Sequence, residues 1–291
     1  MEIKILYEDS NILAIDKPAG ISVHSDGRSK EKTIADWVLK NYPKMKNVGQ
    51  AEESQDFYLR GSRLEPAAPE EGRRRKNIET PLRPGIVHRL DRDTSGVLLL
   101  AKNQKAYEFL KEQFQNREIK KTYIAIVSGW VREDRGVISK PIGRSPVDFR
   151  RYSATRGARG EMREAVTQYK VLKRFNAEAQ QNFYPRESHL GPEAPEEGRR
   201  GKNSAVLKHV LFTYVEVRPK TGRTHQIRVH MKSIDHPVVC DSLYNPKNPY
   251  PKGIKRMALH AKSIEFKDLK GKVIKVESQI PKEFIEVTNC L

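Results

Sequence analysis

Cysteine is scarce in this chain of 291 residues, which contains Cys240, Cys290 and no other. No C-x-x-C pattern is present, so a disulfide scaffold and a cysteine-based zinc module are excluded. The chain also lacks the G-x-x-x-x-G-K-[ST] and G-x-G-x-x-G segments that hold nucleotide phosphates. We therefore expect a protein that uses neither a metal nor a nucleotide cofactor.

Long apolar runs are missing as well. None approaches the roughly 20 residues that a membrane-spanning helix needs, and the N-terminal sequence MEIKILYEDSN has acids where a signal peptide is apolar. This pattern predicts a cytoplasmic protein that does not enter a membrane. The lack of a coiled-coil pattern favours a monomer.

Acidic residues are outnumbered. The chain has 55 Lys and Arg against 37 Asp and Glu, a formal net charge of +18. Such an excess favours a polyanionic partner, because a cationic surface concentrates phosphates and releases their counterions. The hydrophobic fraction of 37% is enough for a globular core. We expect one domain over residues 1–291.

One internal repeat interrupts the sequence. Residues 55–77 and 181–203 are identical at 16 of 23 positions and are rich in Pro, Gly, Glu and Arg. They lie too far apart to stack as a solenoid, and they lack sustained helical or strand periodicity. Their Gly-Arg-Arg stretches could form an RNA-binding arm, but the copies carry only +2 and 0 of the net charge. We interpret them as two flexible loop insertions within the domain.

The remaining pattern is rich in strands. Apolar or alternating segments predict strands at 3–7, 12–15, 97–101, 123–127, 165–172, 211–217, 258–266 and 272–276. Helical periodicity predicts helices at 33–42, 104–115 and 224–232, the last capped by Thr224. Strands and helices interleave without regular βαβ spacing. This order predicts an α+β fold with a mixed, mostly antiparallel central sheet flanked by helices.

Two segments could carry chemistry. The first stretch, residues 84–102, places His88, Arg89 and Asp91 between two apolar runs, at the kind of rigid rim where reactive groups are commonly held. We call its residues 84–96 the first motif. A charged turn that merely caps its own backbone is the alternative. The second stretch, residues 218–232, is basic and would attract phosphate, or it forms a solvated basic helix. We call its residues 221–230 the second motif. His225 and His230 are five residues apart, unlike the i, i+4 pair of a zinc-protease helix.

At these motifs the chain resembles the RluA-type pseudouridine synthases. Their two signatures match PGIVHRLD with TSG in the first motif and TGRTHQIRVH in the second. Further matches follow in the expected order at 16–20, 121–125, 236–241 and 259–261. Cys240 stands where the family usually has Gly, and the S4-type RNA-binding domain found at the N-terminus of many members does not occur in this sequence. The resemblance implies the pseudouridine synthase fold and activity on structured RNA, either ribosomal or transfer RNA.

The resemblance also assigns roles to individual residues. Asp91 is the expected catalytic carboxylate, which either adds to the sugar or the base or takes a ribose proton. Arg228 is expected to pair with Asp91 and keep it ionised. Tyr123 is expected to stack on the base and remove the carbon 5 proton.

The expected substrate-binding residues surround these three. Arg89 would fill the gap that a flipped nucleotide leaves, and Leu259 would lie beneath the uracil. The other expected contacts to substrate are His88, Arg223 and Gln226.

Two other interpretations stay open at the level of sequence. A non-catalytic RNA-binding protein could use the same basic surface, and Asp91 would then be dispensable. A hydrolase could instead use Asp91 and His88 with a metal.

Overall fold

The computed structural model describes residues 1–25, 31–50, 82–148, 150–155, 157–180 and 206–289. The two repeat copies, 55–77 and 181–203, lie outside these residues. Two compact units divide the chain: Met1–Ile119 with Ile264–Ser278, and Lys120–Ser263 with Gln279–Leu291. The expectation of one domain with two flexible insertions stays a prediction. No helix among the described residues has the length and apolar character needed to cross a membrane.

The first unit is built on short antiparallel strands. β1 (Lys4–Glu8) pairs with β2 (Ile12–Lys17), and β2 pairs with β3 (Ser95–Ala101). All seven residues of β3 are buried, as its continuous apolar run predicts. β12 (Leu259–Lys267) begins in the second unit and ends in the first, where β13 (Val273–Glu277) pairs with it.

Two helices of the first unit begin at residues whose side chains cap them. The amide of Asp36 donates to Thr33 Oγ1 at 3.3 Å, and the Asp36 carboxylate accepts from the Thr33 amide, so a capping box opens α1 (Ile34–Asn41). A short 3-10 turn at Pro43–Met45 follows. The side chain of Asn103 accepts from the Ala106 amide and opens α2 (Gln104–Gln115), whose bounds are those predicted.

The second unit contains a larger antiparallel sheet. Its strands lie in the order β4 (Lys120–Ser128), β10 (Val206–Pro219), β9 (Val166–Gln180) and β11 (Tyr250–Pro251), and β5 (Arg135–Ser139) also pairs with β9. A separate three-stranded sheet consists of β6 (Ile142–Arg144), β7 (Tyr152–Ser153) and β8 (Arg159–Arg163).

Helices cover both faces of the larger sheet. On one face α3 (Gln226–Lys232) packs Ile227 and Met231 against Ala125, Val127, Val215, Val217 and Leu259. On the other, α4 (Lys282–Asn289) packs Phe284 and Val287 against Ile124, Ile126, Phe175 and Phe212. Strand alternation separates the two clusters, because neighbouring residues of β4 and β10 point to opposite faces. The predicted α+β class, with mostly antiparallel strands flanked by helices, is confirmed.

Candidate active site

Asp91 lies in a tight turn of the first unit, four residues before β3. The amide of Thr94 donates to the Asp91 carbonyl oxygen at 3.1 Å and closes residues 91–94, which we call the Asp91 turn. The Asp91 side chain is half-buried, whereas Leu90 is buried and Arg89 is exposed. The buried strand that follows therefore holds a partly accessible carboxylate in a defined backbone position.

Lys17 holds the Asp91 turn in place through hydrogen bonds to backbone carbonyl oxygens. Its side chain is fully buried, and its ammonium donates to the carbonyl oxygens of Pro18 and Ile21 at 2.8 Å and of Arg92 at 2.9 Å. The amide of Gly20 donates to the same Arg92 carbonyl, and Arg92 Nε donates to the Gly20 carbonyl. A buried ammonium is tolerated only when its donors are satisfied. Lys17 therefore ties two loops that are 75 residues apart in sequence.

His88 helps to hold the first motif in place. The amide of Leu99 donates to His88 Nε2 at 2.9 Å, and the imidazole stacks on Phe114 with ring centroids 4.9 Å apart. Because Nε2 accepts a hydrogen bond, the ring is neutral and carries its proton on Nδ1. His88 thus joins the first motif to β3 and α2, and its expected contact with substrate stays a prediction.

The second motif is anchored to β9 in the second unit. Thr221 Oγ1 and the Arg223 amide donate to Gln226 Oε1, while Gln226 Nε2 donates to the Val166 carbonyl and to Thr167 Oγ1. Arg223 Nε donates to the Glu164 carbonyl at 3.0 Å. Gln226, which is buried, and Arg223 therefore shape the loop, and their predicted roles in binding stay predictions.

The start of α3 differs from the sequence prediction. The helix begins at Gln226 rather than Thr224, after His225 in the left-handed region with φ of 55°, and no side chain caps it. The cap predicted at Thr224 is wrong. The hydrogen bonds of Gln226 to β9 hold this end of the helix where a capping side chain would act.

Arg228 is buried and forms a bidentate ion pair with Asp241. Arg228 Nε donates to Asp241 Oδ2 at 2.7 Å, and Arg228 Nη2 donates to Asp241 Oδ1 at 2.8 Å. The Arg228 side chain is 6% exposed and the Asp241 side chain 0% exposed. Asp241 Oδ1 also accepts from the amides of Leu243 and Tyr244. The expected ion pair of Arg228 with Asp91 joins residues of different units and stays a prediction.

Several aromatic side chains pack near the ion pair of Arg228 and Asp241. The Arg228 guanidinium lies 5.1 Å from the Tyr244 ring centroid, and the Tyr244 hydroxyl accepts from the Tyr152 amide and bonds His225 Nδ1. The His225 ring meets the rings of Tyr152 and Tyr244 edge to face. The small three-stranded sheet is thereby joined, through Tyr152, to the residues that orient Arg228.

Tyr123 and Leu259 belong to one apolar cluster of the second unit, so the structure brings these two predicted residues together. Lys121 lies on the same face of β4 as Tyr123, two residues earlier in the strand. Burial lowers the pKa of Lys121 to about 8. An ideal Cβ on Gly222 would lie 3.5 Å from the Lys121 ammonium, which places that ammonium beside the second motif.

The sequence analysis missed the contacts that four further residues make near one or the other motif. They are Lys17 in the first unit and Lys121, Asp241 and Tyr244 in the second. Asp241 and Lys17 lie in segments that match the family, 236–241 and 16–20. The sequence of those segments does not indicate which residues Asp241 and Lys17 bond. Within the described residues, no group of three His, Cys, Asp or Glu side chains could hold a metal ion.

Both motifs thus sit at the ordered start of a buried element, the first before β3 and the second at α3. Each is held by buried polar side chains that bond the backbone. The two motifs, held in this way on an α+β sheet architecture, agree with the class of the pseudouridine synthases, which their sequences resemble.

The comparisons with known proteins identify the family. The sequence profile described as RNA pseudouridylate synthase matches residues 11–233. A protein of Aquifex aeolicus (strain VF5) described as an uncharacterized RNA pseudouridine synthase is 33% identical over 246 residues, which cover 84% of this chain and 57% of that protein. The ribosomal large subunit pseudouridine synthase D of Pseudomonas aeruginosa is 30% identical over 303 residues, covering 100% of this chain and 72% of that protein. The chain belongs to the RNA pseudouridylate synthase family, whose members are isomerases.

A solved structure supports the same fold. The human RNA pseudouridylate synthase domain containing 4 matches with a TM-score of 0.59 at 22% identity, covering 98% of this chain and 91% of that one. The expected pseudouridine synthase fold and the RluA-type resemblance are confirmed.

Proposed function

We propose that this protein converts specific uridines of structured RNA into pseudouridine, with Asp91 as the catalytic carboxylate. The observation that carries the assignment is the position of Asp91 in the family signature, on a turn that Lys17 fastens through the Arg92 carbonyl. A carboxylate that must meet one atom of a bound nucleotide needs such a fixed backbone.

The reaction breaks the bond from ribose carbon 1′ to uracil nitrogen 1 and forms a bond from carbon 1′ to carbon 5. The proton of carbon 5 is released and nitrogen 1 takes up a proton, so product and substrate have the same composition. In this scheme Asp91 acts beside the ribose, Tyr123 stacks on the base and accepts the carbon 5 proton, and Leu259 forms an apolar support. Arg228 supplies positive charge.

A stacked uridine cannot be reached until it is turned out of the helix, at a cost of a few kcal/mol. In this proposal Arg89, whose side chain is exposed, fills the gap that the nucleotide leaves in the RNA. His88, Arg223 and Gln226 shape the loops that border the nucleotide. Lys and Arg residues that surround the nucleotide would hold the RNA backbone, which contributes affinity with little sequence information.

Ribosomal RNA is the proposed target, since relatives from several bacteria are described as ribosomal large subunit pseudouridine synthases. Transfer RNA is the alternative. A cytoplasmic location and action as a monomer belong to the same proposal.

The test uses transcripts labelled with tritium at uracil carbon 5, prepared from ribosomal and transfer RNA. We expect the protein to release tritium without added metal or nucleotide and in the presence of EDTA. The Asp91→Asn variant should release none while it still binds RNA. Asp93→Asn removes a carboxylate from the same turn and should keep most of the turnover.

Equal release by Asp91→Asn and wild type would refute the assignment. Binding without release by the wild type on every RNA would instead favour the non-catalytic RNA-binding protein. Tritium release that survives in EDTA would argue against a metal-dependent hydrolase.

A further inference from the structure

A cleft of about 490 Å³ opens on the second unit where β5, β9 and β10 lie side by side. We call it the basic cleft and define it by Arg135, Val137, Gln168, Lys170, Glu216 and Arg218. The strand registers order these side chains in two rows. Arg135, Lys170 and Glu216 are cross-strand neighbours, and the next row consists of Val137, Gln168 and Arg218.

The basic cleft lies on the opposite face of the sheet from Tyr123. Val217 pairs with Tyr123 in register, and Val215, Val217 and Tyr123 belong to one cluster. Side chains alternate along β10, so Glu216 and Arg218 point to the other face. The cleft is therefore separate from the predicted site residues of the second unit.

Three cations in the cleft face one carboxylate. Glu216 pairs with Arg218 at 2.7 Å, and the Arg218 side chain remains 61% exposed. Arg135 and Lys170 are exposed and, in the part of the chain that the structure describes, form no ion pair. Like charges directly opposite each other on neighbouring strands destabilise a sheet. An external anion would remove that repulsion.

The backbone of β5 is fitted closely to β9 at this point. An ideal Cβ on Gly136 would lie 2.5 Å from the Tyr169 ring, so only glycine lets that ring pack against β5. This contact holds Arg135 and Val137 in register with Lys170 and Gln168. The cations are thus presented from a fixed surface rather than from a loop.

We propose that the basic cleft binds the sugar–phosphate backbone of the RNA substrate, at a segment other than the one that holds the target uridine. The inference rests on the proposed function for the identity of the polyanion. Cations in two adjacent rows, with the amide of Gln168 between them, suit successive phosphates, and the net charge of +18 favours nucleic acid. An RNA long enough to reach both the target-uridine site and the basic cleft gains affinity from the cleft, whereas a short hairpin does not.

The test compares the double variant Arg135→Ser/Lys170→Ser with wild type. The matched control is Lys270→Ser/Lys272→Ser, which removes two exposed charges from a turn of the first unit. Affinity for a long ribosomal RNA fragment is measured over a range of salt, together with tritium release from a short hairpin. We expect the slope of log K against log salt to fall by about 1 to 2 in the cleft variant and to change less in the control, since each phosphate contact contributes roughly 0.7 to 0.9.

The hairpin should be turned over by the cleft variant at the rate of wild type. Thermal unfolding should show no loss of stability, because the substitution removes a repulsive cross-strand pair. Glu216→Gln gives a test of opposite sign. It releases Arg218 from its ion pair and should strengthen binding of the long RNA.

A salt slope equal to that of the control variant would overturn the proposal. The proposal would also be overturned if the cleft variant kept the wild-type salt slope for RNA but lost binding to polyglutamate. That result would assign the cleft to an acidic protein partner. Absence of tritium release by the wild type would contradict the proposed function, yet the salt slopes would still report on the cleft.

Discussion

The Asp241 carboxylate accepts hydrogen bonds from two nitrogens of the Arg228 guanidinium, Nε at 2.7 Å and Nη2 at 2.8 Å, inside the second unit. The carboxylate also accepts two backbone amides of its own loop. Hydrogen bonds of this kind fix the plane of the guanidinium. Asp241 is therefore a positioning residue for Arg228.

Asp241→Asn should destabilise the fold and reduce turnover. The substitution removes the Asp241 charge from the buried ion pair with Arg228, a loss of about 3 to 5 kcal/mol when a buried pair is broken from one side. Chemical denaturation and tritium release measure the two effects. Glu283→Gln is the control, since Glu283 pairs with Arg256 at a more exposed site and should change stability by less than about 1 kcal/mol. A stable Asp241→Asn protein with normal turnover would contradict the positioning role.

Lys17→Met should lower stability and turnover together. Methionine fills a similar volume but leaves the carbonyl oxygens of Pro18, Ile21 and Arg92 without their buried donor, a loss of about 2 to 4 kcal/mol. The Asp91 turn is then less firmly held, so the maximal rate of tritium release should fall further than RNA affinity. Lys102→Met, at a lysine that bonds Glu8 and the Asp9 carbonyl near the surface, should have a smaller effect on both. An equal loss in the two variants would argue against a special role for Lys17.

Cys240→Gly should give a more stable protein than Cys240→Ala. Cys240 adopts a φ of 55°, in the left-handed region that glycine enters without strain. Both substitutions remove the thiol, but alanine keeps the Cβ that opposes this conformation, a difference of about 1 kcal/mol. Unfolding in guanidinium chloride measures it. At Ser242, outside the positive-φ region, alanine should be at least as stable as glycine.

The stability contributed at Lys121 should depend on pH. Burial lowers the pKa of the folded-state ammonium from 10.5 to about 8, whereas in the unfolded chain it titrates near its ordinary value. Between these two values the unfolded chain binds more protons, so the folded state gains stability as the pH rises.

Relative to Lys121→Met, the wild type should therefore gain about 1 to 3 kcal/mol between pH 7 and pH 10, at about 1.4 kcal/mol per pKa unit. Denaturation of both proteins at the two pH values provides the measurement. Lys120→Met, at the exposed neighbouring residue, should show no such gain. A gap between wild type and Lys121→Met that is independent of pH would mean that the ammonium is not desolvated.

Local signals in the sequence predicted much of the secondary structure. α2 is found at its predicted bounds because the Asn103 cap and the helical spacing lie within one short segment. Segments without such signals were missed. β5 is short and half-exposed, and the strands of the small sheet lack alternation.

The sequence by itself determined the α+β class, the placement of both motifs and the basic character of the protein, since these follow from local periodicity, spacing and charge. Only the tertiary structure decided that Lys17 bonds the Arg92 carbonyl, that His88 accepts from Leu99 and that Arg228 pairs with Asp241. Those partners are set by how distant segments pack. A buried polar group must find whichever partner the folded chain brings within hydrogen-bond distance, and that requirement leaves no periodic signal along the sequence.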